Sequence, residues 1–462
     1  MRIIIVGCGK VGCNIAKSLS AEKDTDITII DNDTEAIEKA QEDLDVMFIK
    51  GNGLSENILT SAGAKTADLI ICVTAADEAN IFCCILAKKL GTVYTVARVR
   101  DPEYALESNK LWRDLGIDMV INPEHQTARE ISRLLRYPSA DGIMTFVGGR
   151  VELISFKVTE TENFFVGKSV AHIFHNKKTN ILLAMVERGD TAFIPDGDFV
   201  FESGDTAMVL GRPSDISNFF TMAGKKQEKI NDIMIIGGSK IAIYLTELLY
   251  RHTSRAEIKI IEKDKDKCNE LCEIILEKNP RCLIINGDGT DDDLLLSEDI
   301  EQAGAVICLT GRDEENIVTA LYSLQMGIKK VVVKINHINQ NMVKSINIGS
   351  VIIPQNIMAN HIVRFVRGIK AGEARGGILT VHRIFDTDEF YVEAAEFFVP
   401  PAAKCIDKKL RDMRIKKGIL IGCIVRNANI IIPNGDSQIQ PSDTVIIISK
   451  VKNLYEIDDI LA

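Results

Sequence analysis

Short apolar runs alternate with stretches of helical periodicity along the first part of the chain. The runs predicted as strands are 2–6, 27–30, 46–49, 68–73, 93–98 and 118–121. Runs such as RIIIV and DLIICV are apolar on both faces, which is typical of strands in a covered parallel sheet. Between two of them, the stretch 77–89 places Ile81, Cys84 and Ile85 on one helical face. This regular alternation predicts an α/β domain with a doubly wound, Rossmann-like parallel sheet.

A different pattern begins at RYPSADG, residues 136–142, where proline and glycine interrupt the alternation. Residues 150–211 contain the short β-rich runs ELISFKV, ILLAMVE, AFIP and TAMVLG, with the turn signals DGD and SGDT between them. Turn residues between short alternating runs predict a small α+β module. The polar stretch 221–232 is interpreted as a hinge into the second half of the chain.

The second half repeats this order, with a glycine-rich joint, KAGEARGG, before its own β-rich module. Matching positions keep their order along the chain: Gly7 with Gly237, Thr74 with Thr310, Asn80 with Asn316, and Arg98 with Lys334. Self-similarity over this distance predicts four domains. The two Rossmann-like domains are predicted at 1–136 and 230–368, and the two small α+β modules at 140–222 and 374–462.

The first strand runs into the glycine turn GCGKVG, and Asp31 closes the next apolar run. Gly7 permits a tight bend, Gly9 lets the backbone approach a pyrophosphate, and Gly12 lets helix and strand pack closely. Backbone amides and the helix dipole would then face phosphate groups. Asp31 would accept hydrogen bonds from a ribose diol and repel the extra phosphate of NADP. The turn therefore predicts an NAD-type or adenosine ligand, against the alternative of a purely structural turn.

Polar residues also follow two later strands of the predicted sheet. Thr74 and Ala75 end the fourth strand, where a hydroxyl or the backbone would reach ribose or phosphate, and Arg98 ends the fifth, within reach of a phosphate. A surface ion pair is the alternative for Arg98. Asp77 is interpreted as a cap of the following helix in preference to a ligand contact.

The second glycine turn departs from the first at two positions. Ser239 replaces the middle glycine, and Ala242 replaces the last. A Cβ atom at the point of closest pyrophosphate approach is expected to narrow the pocket. Glu262 keeps the acid function. Lys334 keeps the charge of Arg98 without the paired, planar N–H donors of a guanidinium. Binding at this turn is the favoured interpretation, with a vestigial structural copy as the alternative.

Composition narrows the classes of function. The net charge of −10, without a basic block, disfavours a nucleic-acid partner. The sequence has no apolar stretch near the roughly 18 to 20 residues that span a bilayer and no signal peptide, so we expect a cytosolic chain. The 11 cysteines are expected to be reduced and buried, and no metal site is assigned. No Walker-type motif and no His/Asp or Lys pair for hydride transfer accompanies the turns.

Four features together resemble the RCK family of domains, also called KTN and C-terminal RCK, which regulate potassium transport. They are the GCGKVG turn, the VTAADEAN strand end, the ARVR strand and the IPDGD/SGDT module. The doubled arrangement over essentially the whole chain resembles the peripheral regulatory subunits of Trk-type potassium-uptake systems.

The resemblance implies sites for NAD(H), ATP or ADP as regulatory ligands at both turns. The implied residues are Gly7, Cys8, Gly9, Lys10, Val11, Asp31, Thr74, Ala75 and Arg98 in the first site, and Gly237, Gly238, Ser239, Lys240, Ile241, Glu262, Thr310, Gly311 and Lys334 in the second. It also implies an integral-membrane potassium transporter as partner, a location on the inner face of the cell membrane, and self-association, with a tetramer expected. Helices at 123–136 and 354–367 would help subunits pair.

Three functions follow as hypotheses. A nucleotide-sensing, non-enzymatic subunit that gates a potassium transporter is favoured, because paired sites fit a sensor better than a single catalytic cleft. An NAD-dependent oxidoreductase using the first Rossmann-like domain is the main alternative. A structural adaptor with empty pockets is the third.

Overall fold

The computed structural model describes residues 1–101, 104, 109–160, 164–174, 180–225, 230–252, 256–336, 348–371, 377–386, 390–452 and 454–462. These residues form two compact units. The first unit comprises Met1–Ala128 and Ile353–Val363, and the second comprises Arg129–Ile352 and Arg364–Ala462.

The first unit is built on a six-stranded parallel sheet. Its strands are β1 Arg2–Val6, β2 Asp26–Asp31, β3 Met47–Lys50, β4 Leu69–Cys72, β5 Tyr94–Arg98 and β6 Met119–Ile121. Their spatial order is β3-β2-β1-β4-β5-β6. The order reverses between β1 and β4, and in open α/β sheets ligands bind in the crevice outside the carboxyl ends of the strands at such a point.

The helices between these strands are Lys10–Ser20, Thr34–Asp43, Glu56–Ser61, Asp77–Leu90 and Asn109–Asp114, and the helix Pro123–Leu134 follows β6. One face of the sheet forms a core in which Ile4 and Ile70 pack with Cys83, Cys84 and Ala87 of the helix Asp77–Leu90. Small thiol and methyl side chains let this helix lie close to the strands.

The second unit contains a matching six-stranded parallel sheet. Its strands are β12 Asp232–Ile236, β13 Glu257–Glu262, β14 Cys282–Asn286, β15 Ala305–Cys308, β16 Lys330–Lys334 and β17 Ser350–Ile352. The order β14-β13-β12-β15-β16-β17 places the same reversal between β12 and β15. The helices between these strands are Lys240–His252, Lys265–Leu276, Asp292–Ser297 and Asp313–Gln325, and the helix Pro354–Ala371 follows β17.

Two five-stranded antiparallel sheets complete the second unit. The first contains β7 Gly142–Phe146, β8 Val151–Lys157, β9 Ile181–Arg188, β10 Thr191–Phe193 and β11 Thr206–Gly211, with the short helices Val170–Phe174 and Pro213–Met222 beside it. The second contains β18 Ile378–Asp386, β19 Tyr391–Phe398, β20 Ile419–Arg426, β21 Asn429–Ile431 and β22 Thr444–Ser449.

The two antiparallel sheets share one apolar core. Phe146 and Leu153 from the first sheet belong to the same buried cluster as Phe385 and Ile446 from the second. Each module also repeats one bidentate ion pair. Arg188 donates from Nε and Nη2 to Asp205 at 2.7 and 2.8 Å. Arg426 makes the same pair with Asp443, at 2.9 Å for both bonds.

The predicted fold class, with two Rossmann-like parallel sheets and two small modules, is confirmed. The six strands predicted in the first sheet are present, with small shifts at their ends. The strand β7 was not predicted, because it begins at the glycine that ends the interrupting RYPSADG segment. The helix after β17 continues through Gly368 to Ala371, beyond the predicted end at Arg367. Most of the predicted KAGEARGG joint lies outside the described residues.

All 11 cysteines are free; nine are buried as expected, whereas Cys13 and Cys272 are partly exposed. Among the residues that the structure describes, no helix is both long and apolar enough to cross a membrane.

Candidate nucleotide-binding sites

The glycine turn of the first unit leaves its backbone open at one point. Gly7 has a φ of +111°, and a Cβ added there would lie 3.1 Å from the backbone nitrogen of Thr74. A Cβ at Gly12 would come within 1.9 Å of the Gly7 carbonyl oxygen. At Gly9, in contrast, an added Cβ would meet no atom within 4 Å. The bend and the close packing therefore need Gly7 and Gly12, whereas Gly9 keeps space clear in front of the turn.

The helix Lys10–Ser20 begins at this open point. Its N-cap is Gly9, which makes no side-chain capping hydrogen bond, and the predicted residues Lys10 and Val11 form the first turn. The first amides of a helix have no intrahelical partner, and together with the helix dipole they attract anions. The arrangement is suited to a phosphate-bearing ligand.

Asp31 holds the turn from the end of β2. One carboxylate oxygen accepts a hydrogen bond from the backbone N–H of Cys8, and the other accepts from the N–H of Asp33 at 2.9 Å. A carboxylate offers about four lone-pair positions, so this bracing leaves room for hydrogen bonds from a ribose diol. The predicted residues Cys8 and Asp31 are thus brought together, and Asp31 has a structural role that the sequence did not indicate.

The strand ends differ in part from expectation. The N–H and the hydroxyl of Thr74 both donate to Oδ1 of Asn80, at 2.8 and 2.7 Å. The amide of Thr74 is therefore committed within the protein, and the exposed Ala75 presents the neighbouring backbone. The predicted capping role of Asp77 is wrong, because the N-cap of its helix is Ala76 and Asp77 makes no capping bond. Its carboxylate instead accepts from the backbone N–H of Arg100 at 2.7 Å.

Arg98 lies at the end of β5 with most of its side chain buried. Its Nη2 atom lies 3.4 Å from Oε1 of Glu124, while the Arg98 Nε and the Glu124 Oε2 are buried and have no hydrogen-bond partner in the part of the chain that the structure describes. Burial lowers the pKa of Arg98, although the Glu124 carboxylate opposes this shift. The ion pair is long and leaves both groups incompletely satisfied, so a phosphate oxygen is a favourable additional partner for Arg98.

The second turn has the same bend but a different packing contact. Gly237 has a φ of +98°, and a Cβ added at Gly238 would lie 2.2 Å from Cδ1 of Leu271. The N–H of Gly238 donates to Oε2 of Glu262 at 2.8 Å, as Cys8 does to Asp31. A side chain at the position equivalent to Cys8 would therefore overlap Leu271 of the helix Lys265–Leu276, and Leu271 would have to shift.

Glu262 also carries an ion pair. The Lys267 ammonium lies 2.8 Å from its Oε2. Burial alone would raise the pKa of Glu262, but the bonds from Lys267, Asp264 and Gly238 outweigh it and lower that pKa. The acid is therefore ionised and partly neutralised by Lys267.

A cleft of about 470 Å³ opens beside the second turn at the carboxyl ends of the strands. This volume falls in the range of small-molecule sites, roughly 300 to 1,000 Å³. Its lining includes the predicted residues Gly237, Ser239, Glu262, Thr310, Gly311 and Lys334. The narrowing expected from Ser239 does not close the cleft. Of the remaining predicted residues, Lys240 and Ile241 form the first turn of the helix Lys240–His252.

Charged residues that were not predicted also line this cleft. They are Lys263, Lys267, Asp288, Arg312 and Glu315. The rim cations are paired: Lys263 lies 2.6 Å from Asp288, and Arg312 lies 3.1 Å from Glu315. The Lys263 ammonium and the bonds from Thr290 lower the pKa of Asp288 to about 2. The repeat did not indicate these residues. In the first half of the chain the positions that match Lys263, Asp288 and Arg312 are the uncharged Asn32, Asn52 and Ala76.

Fold and sites together define a class of protein: two Rossmann-like domains with nucleotide-type glycine turns, each followed by an antiparallel module. The chain matches the TrkA-N domain model at residues 3–123 and 233–354, and the TrkA-C domain model at 153–224 and 394–462. It therefore belongs to the TrkA family, with two copies of each domain.

Curated relatives match along the full length. The Trk system potassium uptake protein TrkA homolog 1 of Methanosarcina mazei is 32% identical, with 99% of this chain and 99% of the relative covered. The Trk system potassium uptake protein TrkA of Haemophilus influenzae is 29% identical, with 99% and 98% covered.

Solved structures share the fold. The GsuK channel has a TM-score of 0.63 at 17% identity, over 98% of this chain and 77% of that one. The GsuK channel bound to NAD has a TM-score of 0.61 at 17% identity, with the same shares covered.

Proposed function

We propose that this chain is a nucleotide-sensing regulatory subunit that binds NAD(H) or the adenine nucleotides ATP and ADP and gates a potassium-uptake transporter in the membrane. The observation that carries the proposal is the first glycine turn. Its backbone is open at Gly9, the following helix has no side-chain cap, and Asp31 stands beside it with lone pairs for a ribose. These are the features that a pyrophosphate and its adjoining ribose require.

The partner is inferred from the full-length relatives. Proteins of the same family and length are named Trk system potassium uptake proteins. We infer an integral-membrane potassium transporter as partner, a peripheral location on the inner face of the cell membrane, and self-association as a tetramer. The domains in this assignment are 1–136 and 230–368 for the nucleotide domains, and 140–222 and 374–462 for the modules.

Gating requires a ligand to favour one conformation of the assembly. Moving a two-state equilibrium from 1:99 to 99:1 takes about 5.5 kcal/mol of differential binding. Divided over a tetramer with one responsive site per chain, this is roughly 1.4 kcal/mol per site, or about tenfold in affinity. One charge-assisted phosphate contact made in only one state supplies such a difference. Motion between nucleotide domains and antiparallel modules would transmit the ligand state.

Calorimetry with NADH, ATP and ADP tests the binding step. The wild type is expected to bind. Asp31→Ala is expected to lose affinity, because the ribose contact and the hydrogen bond from the Cys8 N–H are both removed. Asp45→Ala is the matched control, because it removes an exposed acid that lies two residues before β3. Absence of binding in the wild type would leave the adaptor as the better description.

Two further measurements test the regulatory step. Potassium flux through the reconstituted transporter and small-angle scattering of the subunit are both expected to change on nucleotide titration. Unchanged flux and scattering in the presence of bound nucleotide would contradict gating. Incubation with NADH and a panel of carbonyl compounds separates the sensor from a dehydrogenase, because steady turnover is expected only of an enzyme.

A further inference from the structure

A fully buried asparagine joins two loops at the edge of the first site. Asn80 is 0% exposed and lies in the first turn of the helix Asp77–Leu90. Its Oδ1 accepts the N–H and hydroxyl of Thr74, and its Nδ2 donates to the carbonyls of Thr74 and Arg98 at 3.2 and 3.0 Å. Both donors and two acceptor positions of one amide are therefore used on the ends of β4 and β5.

The three bonds that this amide makes to backbone groups recur at the second site. Asn316 is 0% exposed, and its Oδ1 accepts from the N–H of Thr310 at 2.9 Å. Its Nδ2 donates to the carbonyls of Thr310 and Lys334 at 3.2 and 3.0 Å. The two copies agree although their glycine turns have diverged. The constraint that preserves this amide is thus local to the strand ends.

A buried aspartate three residues earlier adds a second tie. Asp77 accepts from the N–H groups of Arg100 and Asp101 at 2.7 and 2.9 Å. In the second copy, Asp313 accepts from the N–H of Asn336 at 2.9 Å. We call each aspartate–asparagine pair, Asp77 with Asn80 and Asp313 with Asn316, a brace. Residues three apart lie on the same side of a helix. The asparagine of each brace bonds to the ends of both strands, and the aspartate bonds to the loop that follows the second strand.

We propose that each brace is a positioning device for the nucleotide site beside it, and that Asn80 and Asn316 are its central residues. The inference rests on the proposed function. The braced loops carry Thr74, Ala75 and Arg98, which the proposed function assigns to the first site, and their counterparts Thr310, Gly311 and Lys334 line the cleft of the second site. Fixing them before binding removes the cost of ordering them during binding.

The choice of asparagine supports positioning over space filling. An unpaired amide is costly to bury, and an apolar side chain would fill the same space without that cost. A fully satisfied amide specifies one arrangement of its partners, because any other arrangement leaves buried donors or acceptors unpaired. Asn80 therefore selects one relative position of the Thr74 and Arg98 backbones.

The variants Asn80→Asp and Asn80→Leu test the proposal, because both lose the two amide donors at nearly the same side-chain size, and Asn80→Leu does so without adding a negative charge that would repel phosphate groups. Asn57→Asp, the first of these changes at an exposed position, is the control. Hydrogen exchange of the peptide covering Gly7–Gly12 is followed as NADH is titrated, so that only the first site is reported. The NADH concentration for half-protection is expected to rise about tenfold in both Asn80 variants and to stay at the wild-type value in the control. Asn316→Asp is expected to weaken protection of Gly237–Ala242.

The outcomes separate this inference from the proposed function. If NADH, ATP and ADP protect neither turn of the wild type, the proposal that this chain binds nucleotides is wrong. If the wild type is protected and a folded Asn80 variant shows the half-protection concentration of the control, Asn80 has only a structural role. Should both Asn80 variants fail to fold, hydrogen exchange of the Thr74 amide in the wild type shows whether this loop is ordered before nucleotide binds. Slow exchange without nucleotide is expected, and exchange that slows only on nucleotide binding would overturn pre-organisation.

Discussion

Arg367 donates from Nη1 to Oε2 of Glu393 at 2.9 Å, and the two side chains are 1% and 0% exposed. The first half of the chain contains the equivalent contact between Arg136 and Glu152 at 2.8 Å, with Glu152 buried. Each half of the chain therefore has one arginine that binds a buried glutamate of the next antiparallel sheet. The arginine lies in the segment that follows the last strand of the parallel sheet. Arg367 lies in the helix Pro354–Ala371, and Arg136 lies two residues after the helix Pro123–Leu134, so each contact joins the end of one of these segments to the antiparallel module that follows it.

Removing one partner of the Arg367 pair is expected to destabilise the second unit strongly. In Glu393→Leu, the Arg367 charge stays buried without its carboxylate, which typically costs about 3 to 5 kcal/mol. The double variant Arg367→Met/Glu393→Leu is expected to recover most of this loss, since no charge is left buried. Urea unfolding of the three proteins provides the measurement. Equal instability of the single and double variants would show that packing, and not the lost neutralisation of Arg367 by Glu393, causes the loss.

An exposed pair offers the comparison. Arg188 lies 2.6 Å from Glu202, whose side chain is 64% exposed. Glu202→Gln is expected to change the free energy of unfolding by less than about 1 kcal/mol, because solvent screens exposed pairs.

The glycines of the first turn are expected to separate folding from binding. Gly9→Ala should fold normally, because Gly9 has a φ of −73° and open space for a methyl group, yet bind NADH more weakly because the methyl group occupies the ligand's approach. Gly12→Ala should lose roughly 1 to 3 kcal/mol of stability, since its Cβ would overlap the Gly7 carbonyl oxygen. Thermal unfolding and calorimetry on both variants provide the measurements. A stable Gly9→Ala that binds as tightly as the wild type would contradict the assigned ligand position.

The second turn is expected to gain affinity from the substitution Ser239→Gly. The hydroxyl of Ser239 is buried and has no hydrogen-bond partner among the described residues. Removing it also removes the Cβ from the position that corresponds to the open Gly9. Protection of Gly237–Ala242 against hydrogen exchange is therefore expected at lower NADH concentrations than in the wild type. Unaltered or weaker protection would show that Ser239 does not limit the second site.

The sequence predicted most of the parallel-sheet architecture because local patterns determine it. Apolar runs specify buried strands, and the glycine turn with Asp31 marks the corner at which the ligand is expected. The strand β7 was missed because the glycine that begins it also resembles a turn signal. The end of the helix Pro354–Ala371 was missed because glycine is tolerated inside a helix at a modest cost.

Contacts distant in sequence account for the rest. The partners of Asp77 lie 23 and 24 residues later, so a carboxylate at a helix start looked like a cap. Nothing local marks Glu393 as the partner of Arg367, which precedes it by 26 residues. The one available signal for the brace was the repetition of DEAN as DEEN after two matching strands.

The pH dependence of stability is expected to show a contribution from Lys330, which is 2% exposed. Its Nζ donates to the Ala140 carbonyl and, at 2.9 Å, to the hydroxyl of Ser350. Burial lowers its pKa from 10.5 to about 8, and Asp141 only partly opposes this. Between these two values the unfolded chain holds a proton that the folded chain has released. The contribution of Lys330 to stability therefore rises with pH across this window.

The variant Lys330→Met isolates this effect. The free energy of unfolding of the wild type minus that of the variant is expected to increase on the order of 3 kcal/mol between about pH 8 and pH 10.5, at 1.36 kcal/mol for each unit of pKa shift. Lys329→Met, at the exposed neighbouring position, is expected to follow the wild-type slope. Urea unfolding at intervals across the window gives the slopes. A constant difference between wild type and Lys330→Met would mean that the buried ammonium keeps its proton throughout, held by the Ala140 carbonyl and Asp141 more strongly than burial disfavours it.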